Sequence, residues 1–234
     1  MSVTLKIMSA GALQVMVEAL GADFERASGT TLNLSFGTAG AQGDRVRAGE
    51  DTDLIMISRS GIDALDRLSL LKPASLTDLA STISGVIVRE GDPQPDISTP
   101  AAFFTALKAT PSFAYTDPKS GGSSGIMLAA MLEKAGIAEA VNKNAVLCKG
   151  GHHVAETMAA GGAALGCTLI SEALPVKGLT IVGPLPGELA FKNMYSAAIH
   201  AGSTQTEAAQ AFLDFLTAPV TKPRWTAAGM EPAF

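Results

Sequence analysis

A short apolar strand, a turn of small residues and an apolar-faced helix recur in that order along this chain, and the succession leaves few folds open to it. Val3 to Met8 runs into Ser9-Ala10-Gly11-Ala12 and then into a helical pattern carrying Leu13, Met16, Val17, Leu20 and Phe24. Leu32 to Phe36 leads into Gly37-Thr38-Ala39-Gly40 and a helix expected to end near Gly49, and Asp53 to Ile57 leads into Ser58-Arg59-Ser60-Gly61. Consecutive βα units of this kind imply an α/β protein with a parallel sheet and its turns gathered on one edge.

The rhythm changes after Pro73. The apolar run Ile83 to Val88 is followed by the breaker segment Gly91-Asp92-Pro93-Gln94-Pro95, and Ser98-Thr99-Pro100 opens a helix with a capping residue and an early proline. A crossing between two lobes is expected near Ser81 to Val86. Further units follow: a strand at Ser112 to Tyr115, the small-residue turn up to Gly125, a helix through Met131, a strand around Val146, a helix from His153 and a strand from Ala164 to Ile170. Leu179 to Val182 reads as strand, Met194 to Ile199 as the strand returning to the first lobe, and Thr206 to Leu216 and Val220 to Ala227 as closing helices. The expected organisation is therefore a discontinuous first lobe, 1–82 plus 193–234, and a second lobe, 83–192, joined by two crossings that form a hinge with an interlobe cleft.

Composition narrows the partners. A net charge of -5 comes with 17% charged residues and no Lys/Arg cluster, so nothing tracks a phosphate backbone and nucleic acid is not expected. Cys148 and Cys167 form no CxxC pair and have no companion histidine at zinc spacing, which makes them buried thiols and leaves no metal site in view. No apolar run approaches the roughly 20 residues that span a bilayer. The opening MSVTLKIM lacks the features of a secretory signal, so a native Met1 implies the cytoplasm and a trimmed signal implies the periplasm.

Each strand-to-helix turn presents free backbone N–H groups and the positive end of a helix dipole, an arrangement suited to an anion. Ordinary capping by Ser and Gly accounts for any one such turn, and accounts less well for several converging on one edge. Candidate ligand contacts are Ser9, Gly11, Ala12, Thr38, Ala39 and Ser58 on the early turns, then Gly122, Ser123, Ser124 and Ser171 later. Gly121-Gly122-Ser123-Ser124-Gly125 is the strongest local signal, and it lacks the GxxxxGK[ST] pattern of a nucleotide loop. Arg59 and Lys119 are the cations placed to meet a second carboxylate. Glu172, ending a strand at the same expected edge, and His152 and His153, following Gly150-Gly151, are the candidate acid–base groups. A first-turn helix Glu is the plainer reading of Glu172 and a solvated surface charge that of Arg59 and Lys119, while adjacent helical residues do not share a face, so the two histidines are not expected to hold a metal together.

The segments Leu5-Lys6-Ile7-Met8-Ser9-Ala10-Gly11-Ala12-Leu13, Phe36-Gly37-Thr38-Ala39-Gly40, Phe215-Leu216-Thr217 and Gly229-Met230-Glu231-Pro232 resemble the molybdate-binding protein family of ABC transporters. The resemblance spans nearly the whole chain and implies the type II periplasmic-binding-protein-like fold. The chain departs from that family where Ala12 and Ala39 stand at its oxyanion-binding serines and Leu169 at its tyrosine. Each lost donor costs on the order of 1 to 3 kcal/mol. The Gly-Gly-Ser-Ser-Gly turn, Ile170-Ser171-Glu172 and Val182-Gly183-Pro184-Leu185-Pro186 are closer to a related subgroup that includes aconitate isomerase. That resemblance implies an isomerase shifting a proton and a double bond in an unsaturated polycarboxylate, without a cofactor. The alternative is a non-catalytic solute-binding protein or sensor for molybdate, tungstate or an organic anion. The expected partner is a small-molecule di- or tricarboxylate ahead of molybdate, with an ABC permease added if the chain is exported.

Overall fold

The structure, a computed structural model, describes residues 3–234, so the question of Met1 lies outside the described residues. The chain divides into two compact units, Met1–Ser81 with Asn193–Phe234 and Thr82–Lys192. Both are α/β, as the strand, turn and helix rhythm requires.

Unit 1 begins with β1 (Thr4–Ala10), a single 3-10 turn at Gly11–Leu13, and α1 (Gln14–Ser28), which buries Met16, Val17, Leu20 and Phe24 along one stripe. It continues through β2 (Thr31–Gly37), α2 (Ala39–Arg47), β3 (Leu54–Ser58) and α3 (Arg59–Asp66). β1 pairs in parallel with both β2 and β3, and the register sets Ser9 opposite Phe36 on one side and Met56 on the other. β1 buries Leu5, Ile7 and Met8, and β3 buries Leu54 through Ile57 without alternation, as strands covered on both faces do.

β4 (Thr77–Arg89) starts in unit 1 and ends in unit 2. It is longer than the apolar run Ile83 to Val88, because Leu79 and Ala80 are already buried while Ser81, Thr82 and Ser84, buried too, interrupt the hydrophobic pattern.

Unit 2 then runs through α4 (Pro100–Ala109), whose Thr99 cap accepts the Ala102 N–H at 3.1 Å, β5 (Phe113–Thr116) and α5 (Ser123–Lys134). α6 (Ala138–Asn142), β6 (Ala145–Cys148), α7 (Gly151–Ala159), β7 (Leu165–Leu169), α8 (Ile170–Ala173) and β8 (Leu179–Pro184) complete it. β5 pairs in parallel with β6 and β7, while the second half of β4 runs antiparallel to β7 and β8. Alternation sorts its core onto two faces. Val86, Val88, Phe113, Tyr115 and Cys167 pack with Phe103, Leu107 and Leu128, and Ile87, Ala114 and Cys148 pack with Val154, Ala155 and Met158. The two cysteines are thus buried free thiols.

The chain closes with β9 (Lys192–Ile199), antiparallel to β3, then α9 (Thr206–Leu216), α10 (Lys222–Ala227) and the two-residue β10 (Glu231–Pro232) against β4. The last helix is shorter than the span Val220 to Ala227, because Pro219–Thr221 form a separate 3-10 turn before it. Trp225 is fully buried and donates its indole N–H to the Leu216 carbonyl at 3.1 Å, fixing α10 on the end of α9.

Candidate functional site

In unit 1 the parallel register brings the ends of β1, β2 and β3 side by side, so the turns after Ala10, Gly37 and Ser58 share one edge. Most of the polar groups there are used by the fold itself. Ser9 is fully buried and donates its hydroxyl to the Ala10 carbonyl at 3.2 Å. Gly11 and Ala12 lie in the 3-10 turn, Thr38 caps α2 by accepting the Ala41 N–H at 3.3 Å, and Ala39 is the first residue of that helix. Ser58 stands 3.4 Å from the Ser60 hydroxyl. Arg59, expected to meet the ligand, pairs at 2.9 Å with Asp63 and at 2.9 and 3.0 Å with the two oxygens of Asp78, which also accepts from Ser196 at 2.6 Å. Its charge is therefore balanced inside unit 1.

In unit 2 Thr116 and Cys148 end their strands level with Thr168, the last residue but one of β7, because Tyr115 pairs with both Leu147 and Cys167. The small-residue turn leaving β5 is an ordered structure. Asp117 accepts the Lys119 N–H at 2.9 Å, Pro118–Ser120 make a 3-10 turn, and Gly122 precedes α5. Gly125 packs the first turn of α5 against the Thr116 carbonyl so closely that a Cβ would lie 2.2 Å from that oxygen. Ser124 is buried with its hydroxyl 3.5 Å from that of Thr116, Ser123 is half-buried, and Lys119 is exposed.

Glu172 occupies the first turn of α8, yet its side chain is buried, only 8% exposed, instead of lying in solvent. Its carboxylate accepts from the backbone N–H groups of Gly151 and His152 at the start of α7, and the Thr168 hydroxyl lies 3.4 Å from Oε2. Burial pushes the carboxyl from 4.5 up to about 7, against the opposing pull of those three hydrogen bonds. The histidines contribute backbone here and not rings. The His152 ring is exposed and 3.5 Å from Glu156, and the exposed His153 accepts the Lys149 N–H at 3.2 Å through Nδ1. Adjacent helical residues point apart, so this pair does not form one acid–base unit. Among the described residues no cluster of three or more His, Cys, Asp or Glu gathers as a metal site, and no helix is long and apolar enough to cross a membrane.

Residues 5–231 match the family described as bacterial extracellular solute-binding protein. The chain belongs to this family. A similar protein is an aconitate isomerase of a Pseudomonas species, 30% identical over 238 residues, which cover 98% of this chain and 88% of that one. Solved structures with the same fold include the periplasmic molybdate-binding protein of Azotobacter vinelandii, 17% identical, with a TM-score of 0.76 over 97% of this chain and 98% of that one. The sulfate-binding protein of Mycobacterium tuberculosis is 19% identical, with a TM-score of 0.77 over 99% and 87% of the two chains.

In this solute-binding protein the unit 2 edge joins Ser171, a contact expected from the sequence, to Ser84, which was not expected. Ser171 and Ser84 are both buried, and neither Oγ has a hydrogen-bond partner among the described residues. The register places Ser84 opposite Leu169, immediately before α8, so both hydroxyls belong to the edge that holds Glu172. Leu169 is itself buried and offers no donor. Ser84 lies inside strand β4, where the sequence carries no turn signal for a donor. Gly151, the first residue of α7, looks in the sequence like part of an ordinary glycine cap, whereas its importance lies in the carboxylate pressed against it.

Proposed function

We propose that this solute-binding protein takes a small di- or tricarboxylate on its strand-end turns and isomerises it, with Glu172 as the proton carrier. The observation that carries the reading is a buried carboxyl at the edge of unit 2 whose pKa is pushed to about 7, so that it is divided between acid and base at neutral pH. As a base, Glu172 takes a proton from the methylene beside a conjugated carboxylate, and the electron pair delocalises over the three-carbon unit. As an acid, the same carboxyl returns that proton to the other terminal carbon as the double bond moves. No net proton is gained or lost. Ser171 and Ser84, with unsatisfied hydroxyls, and the first amides of α5 are the donors assigned to the ligand carboxylates and to the enolate-like charge. Lys119, exposed on the turn before α5, is the cation assigned to a further carboxylate, since Arg59 is engaged by Asp63 and Asp78.

The similarity to a Pseudomonas aconitate isomerase selects the first substrate to try. Purified protein mixed with trans-aconitate should yield cis-aconitate, read from the vinyl proton in a one-dimensional NMR series, and an unchanged spectrum over hours rejects the isomerase. A second reading, binding without conversion, is favoured by the family description. It predicts thermal stabilisation by the same anion with no new resonance.

A further inference from the structure

Gly151 stands where no side chain fits. A Cβ built there would lie 1.8 Å from Oε2 and 2.3 Å from Cδ of Glu172, and 2.4 Å from Oγ1 of Thr168. Real carbon and oxygen atoms do not approach that closely, so the Glu172 carboxyl occupies the volume that any other residue at 151 would claim. Behind it, the amides of residues 151 and 152 meet the carboxylate at the start of a nine-residue helix, where unpaired N–H groups and the dipole favour negative charge. At the side, the Thr168 hydroxyl of β7 reaches the same oxygen that Gly151 leaves room for, at 3.4 Å. All of these atoms belong to unit 2.

We propose that Gly151 and Thr168 are positioning residues for Glu172: the bare Cα of Gly151 opens a seat for its carboxyl on the first amides of α7, and the Thr168 hydroxyl locks it there. This inference rests on reading Glu172 as the proton carrier, and it explains how one carboxyl can be both buried and ionisable. The amides and the hydroxyl are neutral donors. They temper the cost of burial without cancelling it, as an arginine would. The charged and titratable side chains nearest along α7 and its lead-in are Lys149, His152, His153 and Glu156. The rings of His152 and His153 are turned to solvent, towards Glu156 and the Lys149 amide respectively. No side chain of the four reaches the Glu172 carboxyl, to which His152 contributes only its backbone amide.

The test is a titration of the Glu172 carboxyl by carbon-13 NMR on the whole protein, the resonance being assigned by its loss in Glu172→Gln. Gly151→Ala should evict the carboxyl into water and lower its midpoint by about two units, toward the ordinary 4.5. Thr168→Val, which keeps the backbone and the side-chain shape, should move the midpoint the other way by removing a donor to the charged form, and Thr168→Ser should restore it. Shifts of opposite sign are what a seat predicts, and a loss of packing alone would not produce them. Unchanged midpoints in both variants overturn the inference. If Gly151→Ala fails to fold, the Thr168 pair decides alone. Where trans-aconitate is converted, the rising limb of the rate against pH should track the same shifts. Because the titration needs no substrate, a protein that converts nothing yet shows the two shifts keeps the seat and loses only the isomerase.

Discussion

Replacing Glu172 by glutamine should flatten the dependence of stability on pH. In the folded protein the carboxyl titrates at about 7 instead of 4.5, chiefly because burial penalises its charge. The native state therefore binds more protons than the unfolded chain between those values, and stability falls as pH rises. The contribution is complete below about pH 4.5 and is lost as pH passes through about 7. With each unit worth about 1.4 kcal/mol, the two titration curves separate by about 2 kcal/mol between pH 5.5 and 8.5. For a chain of this length that corresponds to a Tm lower by about 4 to 8 °C at the upper pH. Glutamine keeps the shape and cannot ionise, so the variant should lack this component. Asp23, Asp51 and Glu50, whose carboxyls are held low by hydrogen bonds to Arg224, Lys6 and Arg45, lose stability in the opposite direction as pH falls, and they do so equally in both proteins. The quantity to measure is therefore the difference between wild type and variant, by calorimetry at the two pH values. Parallel curves would refute the assignment of a charged, buried Glu172 above neutrality.

Ser171→Ala should leave the ligand-free protein as stable or slightly more stable, since it deletes a buried hydroxyl with no partner, and should weaken carboxylate binding about 5- to 100-fold in calorimetric titration. Gly125→Ala should destabilise by about 1 to 3 kcal/mol or more in urea melts, because its Cβ would meet the Thr116 carbonyl at 2.2 Å. Trp225→Ala should cost about 3 to 5 kcal/mol, through the cavity it leaves and the lost bond to Leu216. Native protein should resist a thiol reagent at pH 8 and release two reactive thiols on unfolding, since Cys167 is pushed up to about 12 and burial also raises Cys148.

How much of this was legible in the sequence depends on the range over which each feature is encoded. The βα units were, because apolar runs such as Leu54 to Ile57 and the caps Thr38 and Thr99 act within a few residues. The extent of β4 was not, since Ser81, Thr82 and Ser84 are polar yet buried by elements distant in sequence. The positions of the turns were read correctly, but the use of their side chains was not. Arg59 looked like a free cation until Asp78, a residue of another strand, took its guanidinium. The histidine pair stands out only by rarity, a property of composition, whereas the contact at that helix start is made by backbone amides that every sequence possesses. Glu172 was singled out for its position at a strand end, and its burial depends on Gly151 and Thr168, which no local pattern links to it.

The two strand-end edges differ in a way that bears on where chemistry resides. In unit 1 the hydroxyls of Ser9 and Thr38 and the guanidinium of Arg59 all close on groups of the same unit, and a ligand arriving there would find backbone amides but few unsatisfied side chains. In unit 2, Ser84 and Ser171 are buried without partners and Glu172 is held in a place that disfavours its charge. Each of these lowers the stability of the empty protein by about 1 to 3 kcal/mol. Ser81, Asn193 and His200 of unit 1 also hold buried polar atoms without a partner among the described residues, so what sets the unit 2 edge apart is that two such hydroxyls share it with a buried carboxyl, a cost that binding would recover. The proposed function assigns the reacting part of the ligand to this edge. Filling it with apolar side chains, as in a Ser84→Val, Ser171→Ala, Glu172→Leu triple variant, should raise Tm while abolishing carboxylate binding. A variant that melts lower, or that binds as before, would show that these polar groups serve the fold.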